Sequence, residues 1–378
     1  MEKTLGLLLM IGLGLALQRK IGSKEQLKGL KVLILSLALP ATIFVALLNV
    51  ELSQNMLLFP LAALAINGIL LLLASFSRKV FPGLSEQRHR TLMMLIPSFA
   101  PGLSCFPFIA EFLGDESVAL AALADVGNKF FVLILLYFLA IHWYHRLNEV
   151  PKQSNNAKLK QLGMAMVAEP INMVMIVALV MLAFGLNLQS LPETVSGVIL
   201  RLSGIMAPLI LLFIGLAVKL NRQDFGLILR LLLGRAGLLF LISAAVIFLV
   251  PSLSVPLMLL IIVFPQSSCS FWPFAHMSAV DAMEDAEGRT FDVNFGLSTL
   301  AISLPLSTTL ILGVFSFQSV ALNPLYLAIF GILLVVGASL PEVMRMVRKS
   351  PSLASTDPLN LPEESAATVS KTLVEARH

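Results

Sequence analysis

Pro101-Gly102-Leu103-Ser104-Cys105 and Pro265-Gln266-Ser267-Ser268-Cys269 hold the only two cysteines of the chain, 164 residues apart and both inside apolar stretches. Each phrase runs on into a further proline among aromatics: Phe106, Pro107 and Phe108 after the first, Phe271, Trp272, Pro273 and Phe274 after the second. A proline removes a backbone donor and disturbs the carbonyls one turn earlier. Inside a bilayer those groups need partners, because each one left unpaired costs several kcal/mol. Interrupted helices at matching places in two halves of a chain point to the binding site of a carrier.

The surroundings of the two phrases are those of a membrane protein. Of 378 residues, 57% are hydrophobic and 13% charged, and the mean hydropathy is +0.90, far from the balance of a soluble domain. Apolar stretches of about 20 residues, enough to cross about 30 Å of hydrocarbon as helix, are expected at 4–18, 28–49, 55–76, 90–113, 116–142, 164–186, 192–220, 224–250, 255–282, 292–317 and 323–343. Barrel strands would be half as long and would alternate in polarity. Arg19-Lys20 follow the first stretch with no small-residue cleavage site, so it reads as a retained span.

The loops sort by charge. Arg19, Lys20, Lys24 and Lys28 lie between the first two spans; Arg78, Lys79, Arg88 and Arg90, then Arg146, Lys152, Lys158 and Lys160, then Lys219 and Arg222, then Arg289, then Arg345, Arg348 and Lys349 follow in every second loop. The intervening loops, around Glu51, Asp115-Glu116, Glu193, Ser252 and Asn323, hold no Lys or Arg. The excess of basic loops on one side predicts an outside amino terminus and a cytoplasmic carboxyl terminus in the plasma membrane. The net charge of +4 is spread over these loops, so it is no nucleic-acid footprint. The partners expected are the lipid bilayer and a small solute, with no nucleic acid; a homodimer is an open alternative to a monomer.

A polar stretch with Asn148, Glu149, Pro151, Gln153, Asn155 and Asn156 divides the chain. The organisation predicted is a five-helix unit at 1–145, a cytoplasmic linker at 146–163, a second five-helix unit at 164–318, an extra span at 319–345 and a disordered cytoplasmic tail at 346–378. Five is odd, so the second unit starts from the opposite side and the repeat is inverted. A second pair supports the correspondence: Leu39-Pro40-Ala41-Thr42-Ile43-Phe44 and Ala207-Pro208-Leu209 to Phe213-Ile214-Gly215, whose prolines are 168 apart. The fold class expected is therefore all-α and polytopic, with interrupted, crossing fourth and ninth spans.

Several residues are candidates for chemistry. The amides of Gly102 to Cys105 and of Gln266 to Cys269 are expected to open two half-helices whose positive dipole ends suit an anion, which makes Pro101, Gly102, Ser104, Cys105, Pro265, Gln266, Ser267, Ser268 and Cys269 candidate substrate-binding residues. Asp125 and Lys129 are four apart on one helix face, with Asn128 beside them, and intramembrane charges mark function. Asp125 is expected to couple transport to a proton or cation, and Lys129 or Asn128 to meet an acidic substrate; the alternative is a neutralised pair that pins two helices. In the matching half, Asn294 is a weaker candidate and Asp292 reads as a helix cap. His276 is placed to titrate or to line the path. Arg201 and Arg235 read as structural side chains that snorkel, and Glu169 suits a helix start. His142 and His145, beside Trp143 and Tyr144, read as an interfacial anchor, so no metal site is implied. No Walker-type phosphate loop is present, and no cofactor is expected.

In the Pro40 motif, the Gly102 to Pro107 stretch with Gly114, and above all the run Glu169-Pro170 through Leu186-Asn187, Leu191-Pro192 and Ala207-Pro208-Leu209 to Phe213-Ile214-Gly215, the chain resembles the bacterial branch of the auxin efflux carrier family over about residues 5–317. The resemblance implies a ten-span carrier of organic anions such as auxin or dicarboxylates. It also implies a site at the crossing of the interrupted helices, here Gly102 to Pro107 and Pro265 to Cys269. The chain departs from the family pattern at Ala100, where Asn is common, at Cys105, where Gly is common, and in its eleventh span. Bile-acid and sodium symporters share a similar crossed-helix plan. The function expected is secondary active transport of a small mono- or dicarboxylate by alternating access, not catalysis. The alternatives are a sodium-coupled symporter, an anion channel, or an intramembrane enzyme using Ser104 or Ser268 with His276.

Overall fold

A computed structural model describes residues 2–21, 23–49, 56, 58–148, 160, 164, 167–168, 170–217, 224–284 and 289–349. The linker expected at 146–163, the tail expected at 346–378 and Glu169 fall wholly or mostly outside that set. The chain forms two units, 1–340 and 341–378, and the account below concerns the first.

The described residues are helical, with no strand beyond one isolated bridge between Ala100 and Ser268. In chain order the principal helices are α1 Glu2–Leu17, α2 Glu25–Leu48, α3 Leu58–Ser75, α4 Glu86–Leu95, α5 Pro101–Ser104, α6 Phe106–Leu113, α7 Asp115–Asn148, α8 Pro170–Ala183, α9 Glu193–Ala217, α10 Phe225–Leu249, α11 Val255–Val263, α12 Phe271–Asp281, α13 Val293–Ser316 and α14 Pro324–Lys349. Seven are long and apolar enough to cross a membrane: α2, α3, α7, α9, α10, α13 and the Pro324–Glu342 part of α14. The apolar Leu5–Leu17 and α8 are shorter. The interrupted series α4–α5–α6 and α11–α12 fall where the fourth and ninth spans are expected. The chain is an all-α, multi-pass membrane protein.

Local chemistry explains the boundaries. α2 begins earlier than the apolar run because Ser23 caps it: its hydroxyl accepts from the Gln26 amide at 3.2 Å, and the Gln26 side chain accepts from the Ser23 amide at 3.3 Å. Pro40 is tolerated within α2 because the wide turn Ile34–Ala38 precedes it. α3 is apolar all round, yet its faces differ. Leu58, Leu61 and Leu72 are exposed while Ala63, Asn67, Leu70 and Ala74 are buried. Small and polar residues mark the protein-facing side of a helix whose other side meets lipid.

Two close helix approaches fix the frame. α1 lies along the Met206–Ala217 part of α9, where a Cβ on Gly14 would meet the Leu212 carbonyl oxygen at 2.3 Å and one on Gly215 the Ile11 oxygen at 2.2 Å. α3 lies along α7, and a Cβ on Gly127 would stand 1.9 Å from the Pro60 oxygen. That second contact sets the depth at which the polar stretch Asp125 to Lys129 is held.

Candidate functional site at the helix crossing

The two interruptions have the same local form. α4 ends at Leu95, passes through a turn at Ile96-Pro97, becomes extended at Ser98 to Ala100, and restarts as helix at Pro101. α11 ends at Val263, turns at Phe264 to Gln266, is extended through Ser270, and restarts at Phe271. The turn prolines are thus Pro97 and Pro265, 168 apart, the same offset as Pro40 and Pro208. This corrects the pairing of Pro101 with Pro265. Pro101 stands at the first helical position, which suits proline because the missing amide has no helical partner there.

The extended pieces touch and run antiparallel. The Ala100 amide donates to the Ser268 carbonyl at 2.8 Å, and the Ser268 amide donates to the Ser104 hydroxyl at 3.0 Å. The Ser270 amide donates to the Ser98 hydroxyl at 3.0 Å, and the Cys105 thiol reaches the Val263 carbonyl at 3.5 Å. Cys105 and Cys269 are both buried free thiols in the regions of these breaks.

Each break is satisfied differently. At the first, Asn128 on α7 grips Phe99 from both sides: its Oδ1 accepts from the Phe99 amide at 3.1 Å and its Nδ2 donates to the Phe99 carbonyl at 2.9 Å. The same amide bonds Asp125 Oδ1 at 2.8 Å and accepts from Asn67 Nδ2 at 2.9 Å. Asn128 therefore holds backbone, and its groups are committed within the protein. At the second break the amides expected to be free are taken: those of Gln266 and Ser267 turn back to Val263 and Phe264, and that of Cys269 donates to Ser303 Oγ at 3.2 Å. The half-helix opens later than expected, at Phe271, with Ser270 as its cap. Gln266 donates to the Ala236 carbonyl at 3.0 Å, and its Oε1 is buried without a hydrogen-bond partner.

Arg235 on α10 joins the two breaks. Its guanidinium donates to the carbonyls of Ile96 at 2.9 Å, Ser98 at 3.1 Å and Ser267 at 3.0 Å, and lies 5.3 Å from the Phe99 ring centroid. It is 5% exposed. The expectation that Arg235 snorkels is overturned, because the planar fork matches carbonyls released at both helix ends. Arg201 is exposed, as a snorkelling side chain would be.

Beside the crossing lies a cavity of about 130 Å³ lined by Lys31, Leu35, Phe99 to Leu103, Asp125, Asn128, Lys129, Val132, Ile171 and Ser270 to Trp272. Asp125 and Lys129 pair at 3.3 Å, and Lys129 also reaches Asn172 Oδ1 at 3.3 Å. Of the candidate residues, Pro101, Gly102, Asp125, Asn128 and Lys129 line this cavity. Ser104, Cys105, Pro265, Gln266, Ser267, Ser268 and Cys269 build the crossing behind it. His276 does not line the cavity but is buried directly behind it: its Nε2 bonds the carbonyl of the lining residue Val132 at 3.0 Å, at the wide turn Phe131–Leu135 that loosens the α7 ladder. Asn294 is exposed in the first turn of α13, away from the crossing, which removes it as a lining residue. Asp292 caps that helix through the Phe295 amide at 2.9 Å, as expected.

Lys31, Phe99, Ser270 and Trp272 line the cavity without having been singled out from the sequence, and Arg235, read there as a snorkelling side chain, sits at the crossing. Lys31 and Arg235 carried a signal, being charges inside apolar spans, and the offset of 168 leads from Pro101-Gly102 to Cys269-Ser270.

At the end of the bundle that holds the α4 amino terminus, Arg88 bonds Asp224 at 2.7 Å and Asp292 at 3.0 Å, tying α4 to the starts of α10 and α13. Burial alone disfavours the Arg88 charge, but the two carboxylates outweigh it and hold its pKa above the ordinary value. Nearby, burial and then the Arg78 guanidinium hold His89 below the usual histidine value, and its Nδ1 contacts Ser77 Oγ at 2.8 Å.

No family model matches the chain, and no curated protein matches it.

Proposed function

We propose that the chain is a secondary carrier of a small organic anion, of the auxin efflux carrier type. On this reading it is two inverted five-helix units whose interrupted helices cross at the Ala100–Ser268 bridge, with α14 as an addition. The observation that carries the reading is a cavity of about 130 Å³ bounded by residues of both crossing segments, Phe99 to Leu103 and Ser270 to Trp272, and by Lys31, Asp125 and Lys129. Interrupted helices tolerated at membrane depth are those that line a cavity or lie buried in protein. The shared break geometry and the common offset of 168 support two related halves. The odd span count makes them antiparallel.

In the mechanism proposed, substrate enters beside Pro101 and Gly102 and meets cationic side chains. One bundle then moves against the other around the crossing. Asp125, paired with Lys129, is the group proposed to couple movement to a proton or a sodium ion. Protonation of Asp125, or a sodium ion bound beside it, would raise the charge of the cavity by one unit and free Lys129 from its partner. The basic loops assign the Arg88 network to the cytoplasmic face of the plasma membrane. For an intramembrane hydrolase, Ser104 or Ser268 would need to meet His276; the Ser104 hydroxyl donates instead to the Ala100 carbonyl at 2.8 Å and accepts from the Ser268 amide at 3.0 Å.

Uptake of radiolabelled acids into proteoliposomes, with and without a proton or sodium gradient, tests the proposal. Saturable flux that a gradient drives uphill is the expected result. Single-channel currents, or no flux of any acid under either gradient, would overturn it.

A further inference from the structure

Among the described residues, the lining of the cavity is unbalanced in charge. Two lysines face one carboxylate there: Asp125 is taken by Lys129 at 3.3 Å, and Asn128, the next polar neighbour, is saturated by Phe99, Asp125 and Asn67. Lys31 enters from α2 and has no carboxylate within ion-pairing distance among the described residues. Its Nζ lies 5.2 Å from the centroid of the Phe271 ring, at the first residue of α12. A cation over an aromatic face keeps its charge accessible to an anion at the opposite side. The guanidinium donors of Arg235, behind the crossing, are used by three carbonyls, and Arg235 does not line the cavity.

Apart from Ser270, the remaining side chains of the wall are apolar, Leu35, Phe99, Ile171 and Trp272 among them. A volume near 130 Å³ is close to that of a dry engineered cavity of about 150 Å³ that accepts benzene. It therefore admits a body of about six or seven heavy atoms. A second carboxylate on such a body would find as cation only Lys129, already paired with Asp125 at 3.3 Å, and a charge moved from water to an apolar wall without its own partner is disfavoured.

We infer that Lys31 is the specificity-determining residue of this site, holding the one carboxylate of a small monocarboxylate with an apolar body, and that the site rejects dicarboxylates of equal size. The inference rests on the reading of the chain as an anion carrier. It narrows that reading to one charge class and assigns the selecting residue.

The test compares butanoate and 2-oxobutanoate with malonate, a dicarboxylate of the same heavy-atom count as 2-oxobutanoate, and with neutral butanamide, as ligands of the purified full-length chain in nanodiscs, by thermal-shift titration and by competition against uptake. In the unaltered protein the monocarboxylates are expected to bind at least tenfold more tightly than malonate. Lys31→Gln is expected to weaken the monocarboxylates tenfold or more and bring them level with butanamide, while Lys31→Arg retains most of the affinity. Malonate binding as well as 2-oxobutanoate would overturn the charge class, whatever the variants do. Monocarboxylate affinity unchanged in Lys31→Gln would overturn the role of Lys31 while leaving the carrier reading intact. Butanamide binding with no acid of either class bound would overturn both.

Discussion

The break at Ile96 to Ala100 and the break at Phe264 to Ser270 share a form but differ in what holds them. Besides Arg235, which reaches both breaks, the first is gripped by Asn128, which pairs with both polar groups of Phe99. The helix that follows restarts at Pro101, against the cavity. The second is sealed by hydroxyls, with Ser104, Ser303 and Ser98 each accepting one amide of Ser268, Cys269 and Ser270. Nearly equivalent backbones can thus be finished in two ways. Both restart as helix beside the same cavity, at Pro101 and at Phe271. The first does so from a clamp on one residue, and the second after its amides are spent on hydroxyls inside the protein.

Arg235 belongs to both breaks, so its removal should do the most damage. Arg235→Met leaves three buried carbonyls without a donor, each worth about 1–3 kcal/mol. Thermal unfolding in detergent should show a loss of several kcal/mol or failure to accumulate, whereas Arg201→Met, at an exposed site, should leave stability within about 0.5 kcal/mol. Equal behaviour of the two variants would remove Arg235 from the joint.

Asn128→Ala breaks only the gripped side. It orphans the Phe99 amide and carbonyl and strips a partner from Asp125, at an expected cost of about 2–5 kcal/mol. Ser303→Ala unseals a single amide and should cost about 1–3 kcal/mol. If Ser303→Ala proved the more harmful in both stability and uptake, the contrast between the two breaks would be reversed. Gly127→Ala tests the placement of the gripping residue. Its methyl group meets the Pro60 carbonyl oxygen, so α3 and α7 must separate, at about 1–3 kcal/mol as for other overpacked sites. Chymotrypsin susceptibility of the membrane-embedded chain should rise with it.

The smallest effect concerns pH at the far end of α4. His89 has its folded pKa held below that of the unfolded chain, so the neutral form is favoured in the fold. Its contribution is complete above the unfolded value, near 6.5, and is lost as pH falls through the lower folded value. Melting temperature should therefore decline slightly more between pH 7 and pH 5 in the unaltered protein than in His89→Gln. Matching pH profiles would remove His89 from the account.

Much of the fold was legible from local chemistry. Apolar runs separated by basic and non-basic loops gave the spans, because helix is the form in which a single segment satisfies its own backbone in lipid. The interruptions were legible too, since proline among small polar residues cannot continue a ladder. What the sequence concealed was which proline does the breaking. Pro97 and Pro101 are four apart and only the fold shows that one makes the turn and the other starts a helix. The fate of the Gln266 to Cys269 amides was equally hidden, since Ser98, Ser104 and Ser303 come from distant positions in the chain. Arg235 misled for a related reason. A long cation inside a span either snorkels or finds acceptors, and the acceptors here are backbone carbonyls that no residue type announces.

The account stands on the two interrupted helices meeting at Ala100 and Ser268. Paired residues in an antiparallel bridge have Cα atoms about 4.5–5.5 Å apart, inside the range of about 4.4–6.8 Å for a disulfide. The direct measurement is oxidation, in native membranes, of a chain carrying Ala100→Cys and Ser268→Cys with Cys105→Ala and Cys269→Ala. A protease site inserted between residues 149 and 159 allows the halves to be separated. The account predicts that the halves stay joined on a non-reducing gel and part on reduction. Two separate halves, each with a thiol that still reacts with maleimide after oxidation, would contradict it.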